Sequence, residues 1–96
     1  MSVNIFIMDM NRNNHPDWDP YINGGHKQFA RQVLPNLPRN EARTGSGDDI
    51  EYLIRPTDFD EWRRVLRATF DFNENLWAKM VDILESDETW WLYISQ

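Results

Sequence analysis

The chain contains no cysteine and only four glycines. The first absence removes disulfides, thiolate metal sites and cysteine nucleophiles together, and it suits a reducing compartment. The glycines fall as Gly24-Gly25 and as Gly45 and Gly47 around Ser46, too short a supply for a phosphate-cradling loop. No serine occupies a nucleophile elbow. No apolar run approaches the roughly 20 residues that cross a bilayer. The N-terminal apolar stretch is short, broken by Asn4 and Asp9, and has no basic start. The expectation is therefore a cytoplasmic protein with no cofactor and no membrane partner.

What is present is acid and aromatic surface. The net charge of −6 is unevenly placed. Residues 1–47 are close to neutral, while residues 48–96 hold twelve of the sixteen acids and only five of the ten bases. Such a half repels a phosphate backbone, so nucleic acid is not expected as a partner. It favours a basic protein surface instead, mainly by steering the encounter. Five tryptophans and five phenylalanines give the 96 residues enough bulk for one core, since each aromatic buries about 150–250 Å². A single α+β domain spanning 1–96 is expected.

Both ends of the chain read as strands. In 89–95, Trp90, Leu92 and Ile94 alternate with Trp91 and Tyr93. In 3–9, Val3, Ile5 and Ile7 alternate with Phe6 and Met8. Apolar residues on both faces predict that the two pair in the middle of a sheet. A third strand is expected at 50–54, ended by Pro56. Helical spacing appears at 26–34, where Asn23 or a nearby glycine would cap and Pro35 would terminate. It recurs at 58–69, capped by Thr57, with a stripe of Phe59, Trp62, Val65, Leu66 and Thr69 and an Asp60–Arg64 pair. A third helix is expected at 74–85, capped by Asn73, with Leu76, Trp77, Met80, Val81 and Leu84 inward. Polar 36–47 reads as a mobile loop. The sum is a sheet of about three strands with about three helices.

Asp9, Asn11 and Asn13 place oxygens at alternate positions, as the first half of an EF-hand calcium loop does. The pattern then departs: Asn14 stands at the glycine position, and Pro20 replaces the bidentate glutamate. The run Phe6-Ile7-Met8-Asp9-Met10-Asn11 also resembles the nucleophile strand of haloacid-dehalogenase-type phosphotransferases. That resemblance implies a second acid where this chain has Asn11, and no later lysine or acidic pair completes the set. His15, Asp17, Asp19 and His26 match no standard metal spacing. They read as loop residues, with His26 opening a helix. Arg63, Arg64 and Arg67 form a basic row whose ordinary role is to neutralise Asp58, Asp60 and Glu61.

The sheet face bearing Phe6, Met8, Trp91 and Tyr93 offers two readings. It is core if the segment carrying Trp18, Tyr21 and Phe29 covers it. It is a partner-binding surface if it does not, because Trp, Tyr and Met suit interface anchoring. With Glu85, Asp87 and Glu88 as steering acids, the second reading gives a small non-catalytic protein that binds another protein stoichiometrically. Immunity proteins, inhibitors and accessory regulators share this size and charge. The alternatives are a small-ligand or divalent-ion domain using loop 9–19, through Asp9, Asn11, Asn13 and Asp17, or a small enzyme.

Overall fold

The structure, a computed structural model, describes residues 3–21, 25–45, 47–48, 51–70 and 74–95. Strand β1 (Asn4–Met8) is followed by a long loop and a short helix α1 (His26–Gln28). The helical path continues through a π turn (Phe29–Val33) and a 3-10 turn (Leu34–Asn36). Strands β2 (Arg39–Thr44) and β3 (Glu51–Pro56) form a hairpin. Helices α2 (Phe59–Thr69) and α3 (Glu74–Ser86) then lead to β4 (Trp91–Ser95). The chain is α+β, with one antiparallel sheet in the order β1-β4-β3-β2. Among the described residues no helix is long and apolar enough to cross a membrane.

The two terminal segments do pair, with Ile5 opposite Ile94, Phe6 opposite Tyr93 and Met8 opposite Trp91. Only β4 is central, however; β1 lies at an edge. Its outer side is closed by the loop that follows it. The Trp18 indole donates to the Ile5 carbonyl at 2.8 Å, and the His15 amide donates to that of Ile7 at 2.8 Å. A strand apolar on both faces can therefore sit at an edge, because its own loop meets its unpaired backbone.

The fourth strand corrects the expectation of a loop over 36–47. Residues 39–44 are polar because β2 pairs on one side only and has little apolar surface to hide. Glycines 45 and 47, both at positive φ, lie in the β2–β3 connection. The helix expected at 26–34 is wound as three unlike turns. Pro35 cannot donate a backbone hydrogen bond, which tightens the end into a 3-10 turn. Arg39 then satisfies the free carbonyls, donating from Nη1 to Leu34, Pro35 and Leu37 at 3.1–3.2 Å. The expected caps Asn23 and Asn73, together with Ile50, lie outside the described residues.

Helix α2 is capped by Asp58, not Thr57: the Asp58 carboxylate accepts from the Glu61 amide at 3.0 Å. A carboxylate is the stronger acceptor at a positively polarised N-terminus. Trp62 and Leu66 are buried, Phe59 and Val65 half-buried, and Thr69 exposed with its hydroxyl bonded to the Val65 carbonyl. The expected Asp60–Arg64 pair is not formed. Arg64 bonds Glu61 instead, and Arg63 reaches Asp82 at 2.8 Å and Glu85 at 3.0 Å, tying α2 to α3. In α3, Trp77, Met80, Val81, Ile83 and Leu84 face inward.

The helices and the helical turns cover the sheet face bearing Ile5, Ile7, Ile54 and Leu92. At the centre of this core Trp77 stacks on Phe29 at 4.9 Å and lies 4.7 Å from Phe70, with Trp62 against Phe29 at 6.1 Å. Gly25 serves the same cluster. It sits at φ +83°, and a Cβ there would approach Phe70 Cε1 to 3.0 Å. Trp62 also donates from its indole to the Pro38 carbonyl at 2.7 Å. Replacing Trp62 or Trp77 with alanine is expected to cost about 3–5 kcal/mol in chemical denaturation. Trp62→Phe should cost less, since it keeps most of the buried area and loses the bond to Pro38.

His26 is buried against Trp77 at 5.9 Å, and its Nε2 has no hydrogen-bond partner. Burial alone holds its pKa below the ordinary histidine value of 6.5. The unfolded chain therefore takes up the proton first as pH falls. The stability that neutral His26 contributes is complete above 6.5 and declines as pH drops below it. Melting temperature should fall between pH 7 and pH 5, and His26→Leu should flatten that slope. The slope below pH 4.5 should survive, because Asp9, Glu61 and Asp87 are held below their ordinary values.

Candidate functional site

Strand alternation places Phe6, Met8, Leu53, Trp91 and Tyr93 together on the sheet face turned away from the helices. Met8 and Leu53 are buried; Phe6, Trp91 and Tyr93 are half-buried. Neither reading of this face holds alone. Trp18 and Phe29 belong to the helix-side core, so they do not cover it. Tyr21 does, in part, packing edge-on against Phe6 at 6.1 Å while staying exposed itself. Phe6 and Tyr93 also touch, with ring centroids 5.9 Å apart.

The loop after β1 folds back over the same face. Asp9 organises it: one carboxylate oxygen accepts from the amides of Asn11 and Asn13 at 2.9 Å, and the other from the Asn13 side chain at 3.2 Å. These bonds, that of the Asn13 amide foremost, lower the Asp9 pKa. Arg12, at φ +66°, then reaches Glu51 on β3 at 3.2 Å. Glu51 also stands beside the Tyr93 hydroxyl. Burial first, and then the charge of Glu51, push the Tyr93 phenol up, against an opposing pull from Arg12. The loop is thus fastened to the middle of the face it crosses.

At one end the cover stops, and an open cleft of about 680 Å³ remains. It is lined by Asp9, Met10 and Asn11 of the loop, Asn40 of β2, Arg55 of β3, Glu88 and Thr89 of the α3–β4 turn, and Trp91. Residues from two separate expectations, the loop oxygens and the aromatic face, are therefore brought to one place. Two of the charged groups here, Asp9 and Arg55, are engaged in structure. Arg55 donates to the carbonyls of Trp90 at 2.8 Å and Asp87 at 3.2 Å, and its guanidinium lies 5.5 Å from the centre of the Phe59 ring. Asp87 accepts from the Thr89 amide at 2.9 Å, which lowers its pKa.

The remaining candidates disperse. Glu85 is paired with Arg63 between the helices, so of the three expected steering acids only Glu88 lines the cleft. Asp17 and Asp19 turn the loop locally: the Asp17 amide donates to His15 Nδ1, and Asp19 accepts from the Tyr21 amide. His15 lies in the loop, as its sequence context suggests, but is half-buried, edge-on to Trp90 at 4.5 Å. Among the described residues no three of His, Asp and Glu converge as metal ligands. A smaller hollow of about 200 Å³ lies between α2 and α3, lined by Arg63, Leu66, Arg67, Trp77, Ala78 and Asp82. Its Arg63–Asp82 pair holds the helices together. Sequence reasoning missed Arg55 and Asn40 as cleft residues, since each adjoins Trp91 only through strand order.

Comparison with known protein families, with characterised proteins and with solved structures returned no match to this chain.

The Tyr93 network gives a measurable sign. In absorbance titration, read against a Tyr93→Phe reference to remove Tyr21 and Tyr52, Glu51→Gln should move the phenol down toward its ordinary value. Arg12→Ala should move it further up. In calorimetric titration the 9–19 loop should give no heat with calcium, because Asp9 is committed to its turn and Pro20 supplies no side-chain oxygen.

Proposed function

We propose that this protein acts by stoichiometric association with another protein, through the open end of its helix-free sheet face. The observation that carries the reading is Trp91, half-buried in the lining of a cleft whose Asp9 and Arg55 are already bonded within the chain. A small-molecule site needs convergent unspent polar groups that orient a ligand. A protein interface needs a rigid aromatic anchor with a polar rim, and Trp91 and Met10 within Asp9, Asn11, Asn40 and Glu88 fit that pattern. The rim acids and the negative charge of residues 48–96 suit a basic partner surface. No set of residues among those described supports a catalytic assignment. A cytoplasmic inhibitor, immunity protein or accessory regulator is the class this reading implies.

The volume of the cleft supports a second reading, a small-ligand site, since ligand pockets span roughly 300–1,000 Å³. The two are separated by kinetics with a partner captured on the immobilised chain. Trp91→Ala should raise the dissociation rate tenfold or more, about 1.4 kcal/mol or above, in a domain that its melting curve shows to be still folded. Glu88→Lys should slow association, and raised salt should slow it in the parent, as the Debye length falls from about 10 Å at 0.1 M to about 3 Å at 1 M. A captured protein indifferent to salt and to both substitutions would overturn the proposal. So would turnover of a substrate by the purified chain.

A further inference from the structure

The sheet has two edges, and only one is closed. On β1, the carbonyls of Ile5 and Ile7 point outward and are met by Trp18 and His15, so Phe6 turns its backbone groups inward to Tyr93. Alternation carries this direction across the sheet. Through the pairs Leu92–Ile54 and Leu53–Ala42, the backbone groups of Ala42 point inward to β3. Those of Arg39, Glu41 and Arg43 point outward. No described residue bonds them, and the side chains of Asn40, Glu41 and Arg43 are exposed. This edge belongs to the half of the chain that is close to neutral, so the acid surplus does not guard it.

We infer that the outer edge of β2 pairs antiparallel with β2 of a second copy of this chain, with Ala42 on the two-fold axis. In that register Glu41 stands opposite Arg43 of the partner subunit, and Arg43 opposite the partner's Glu41. Both residues of each pair have outward backbone groups, so each pair exchanges two hydrogen bonds. Ala42 meets its counterpart as the close, non-hydrogen-bonded pair at the axis. Moving the axis to Glu41 would set Glu41 against itself and Arg43 against Arg39, like charges facing directly. Moving it to Asn40 would keep Glu41 opposite the partner's Arg39 but run Arg43 against Leu37, outside the strand. Charge and strand length together thus favour the Ala42 register, since the Glu41 axis sets like charges face to face and the Asn40 axis pairs only residues 39–41. Glu41 already holds Arg39 at 3.2 Å, whereas Arg43 has no ion pair among the described residues. Docking supplies one.

An edge contact lies at the small end of interface sizes, so a weak dimer that forms with rising concentration is expected. Sedimentation equilibrium of the full chain from about 10 μM to about 1 mM should show the mass rising from 11.5 kDa toward twice that value. Glu41→Arg and Arg43→Glu should each weaken the dimer about tenfold or more, since each sets two like-charge pairs across the axis. An equimolar mixture of the two variants restores opposite charges at every pair and should dimerise like the parent. Melting curves verify that each variant is folded. A readout independent of charge uses the absence of native cysteine: Ala42→Cys should form a linked dimer under air oxidation, because non-hydrogen-bonded partners lie about 4.5 Å apart, within disulfide reach. Ala68→Cys on exposed α2 should not. A parent that stays monomeric throughout the concentration range overturns the inference. So does a dimer undiminished by the single reversals, a mixture that does not recover, or linkage that is no more efficient at 42 than at 68.

Discussion

Trp77 holds this domain together. Its ring is clasped between Phe29 and Phe70, and through Phe29 it is coupled to Trp62, so three segments distant in sequence meet at one aromatic cluster. Several otherwise unrelated features follow from that clasp. Gly25 has no side chain because Phe70 occupies the space a Cβ would need. The turn at Pro38 is fixed because Trp62 takes its carbonyl. His26 is carried into the core beside Trp77, where burial lowers its pKa. Aromatic bulk does in a 96-residue chain without disulfides what cross-links do in others of its size.

Arginine does the complementary work at the periphery. Arg39 closes the end of the first helical segment, Arg55 holds the turn between α3 and β4, Arg63 joins α2 to α3, and Arg12 fastens the long loop to Glu51. A planar fork of donors suits each of these tasks, since it reaches several carbonyls or a carboxylate at once. The consequence for function is electrostatic. Each ion pair cancels one acid as well as one base, so the outward field keeps the sign of the net charge, −6. That balance, with Trp91 and Met10 beside an open cleft, is what makes a binding role the most economical reading of the surface.

The two surfaces we single out are separate in kind. The cleft face offers side chains and a charged rim; the β2 edge offers backbone and one self-complementary pair of charges. Pairing two copies at that edge would extend one sheet across both chains and leave the cleft clear of the axis, since among the described residues Asn40 alone is common to both. Two cleft-bearing subunits joined in this way would engage a repeated or dimeric partner with an advantage in effective concentration.

The alternation of Phe6, Met8, Trp91 and Tyr93 and the stripes around Trp62 and Trp77 were decided by residue order, because periods of 2 and 3.6 are local properties of a backbone. From them the α+β class, the strands at both ends and the helices at 58–69 and 74–85 were legible. Residues 39–44 were not, since an edge strand paired on one side needs no apolar alternation to mark it. Nor were the Asp58 cap, the mixed winding after His26 or the partners of Arg63. Each depends on which neighbour a side chain meets once the chain is folded. The cleft is the clearest case: Asp9, Asn40, Arg55, Glu88 and Trp91 are scattered along the sequence, and only the order β1-β4-β3-β2 brings them to one end of a sheet. Sequence determined which faces had to be buried. Tertiary structure decided which one was left partly open, because burial against the helices satisfies one face of a sheet and a single loop is too short to cover all of the other.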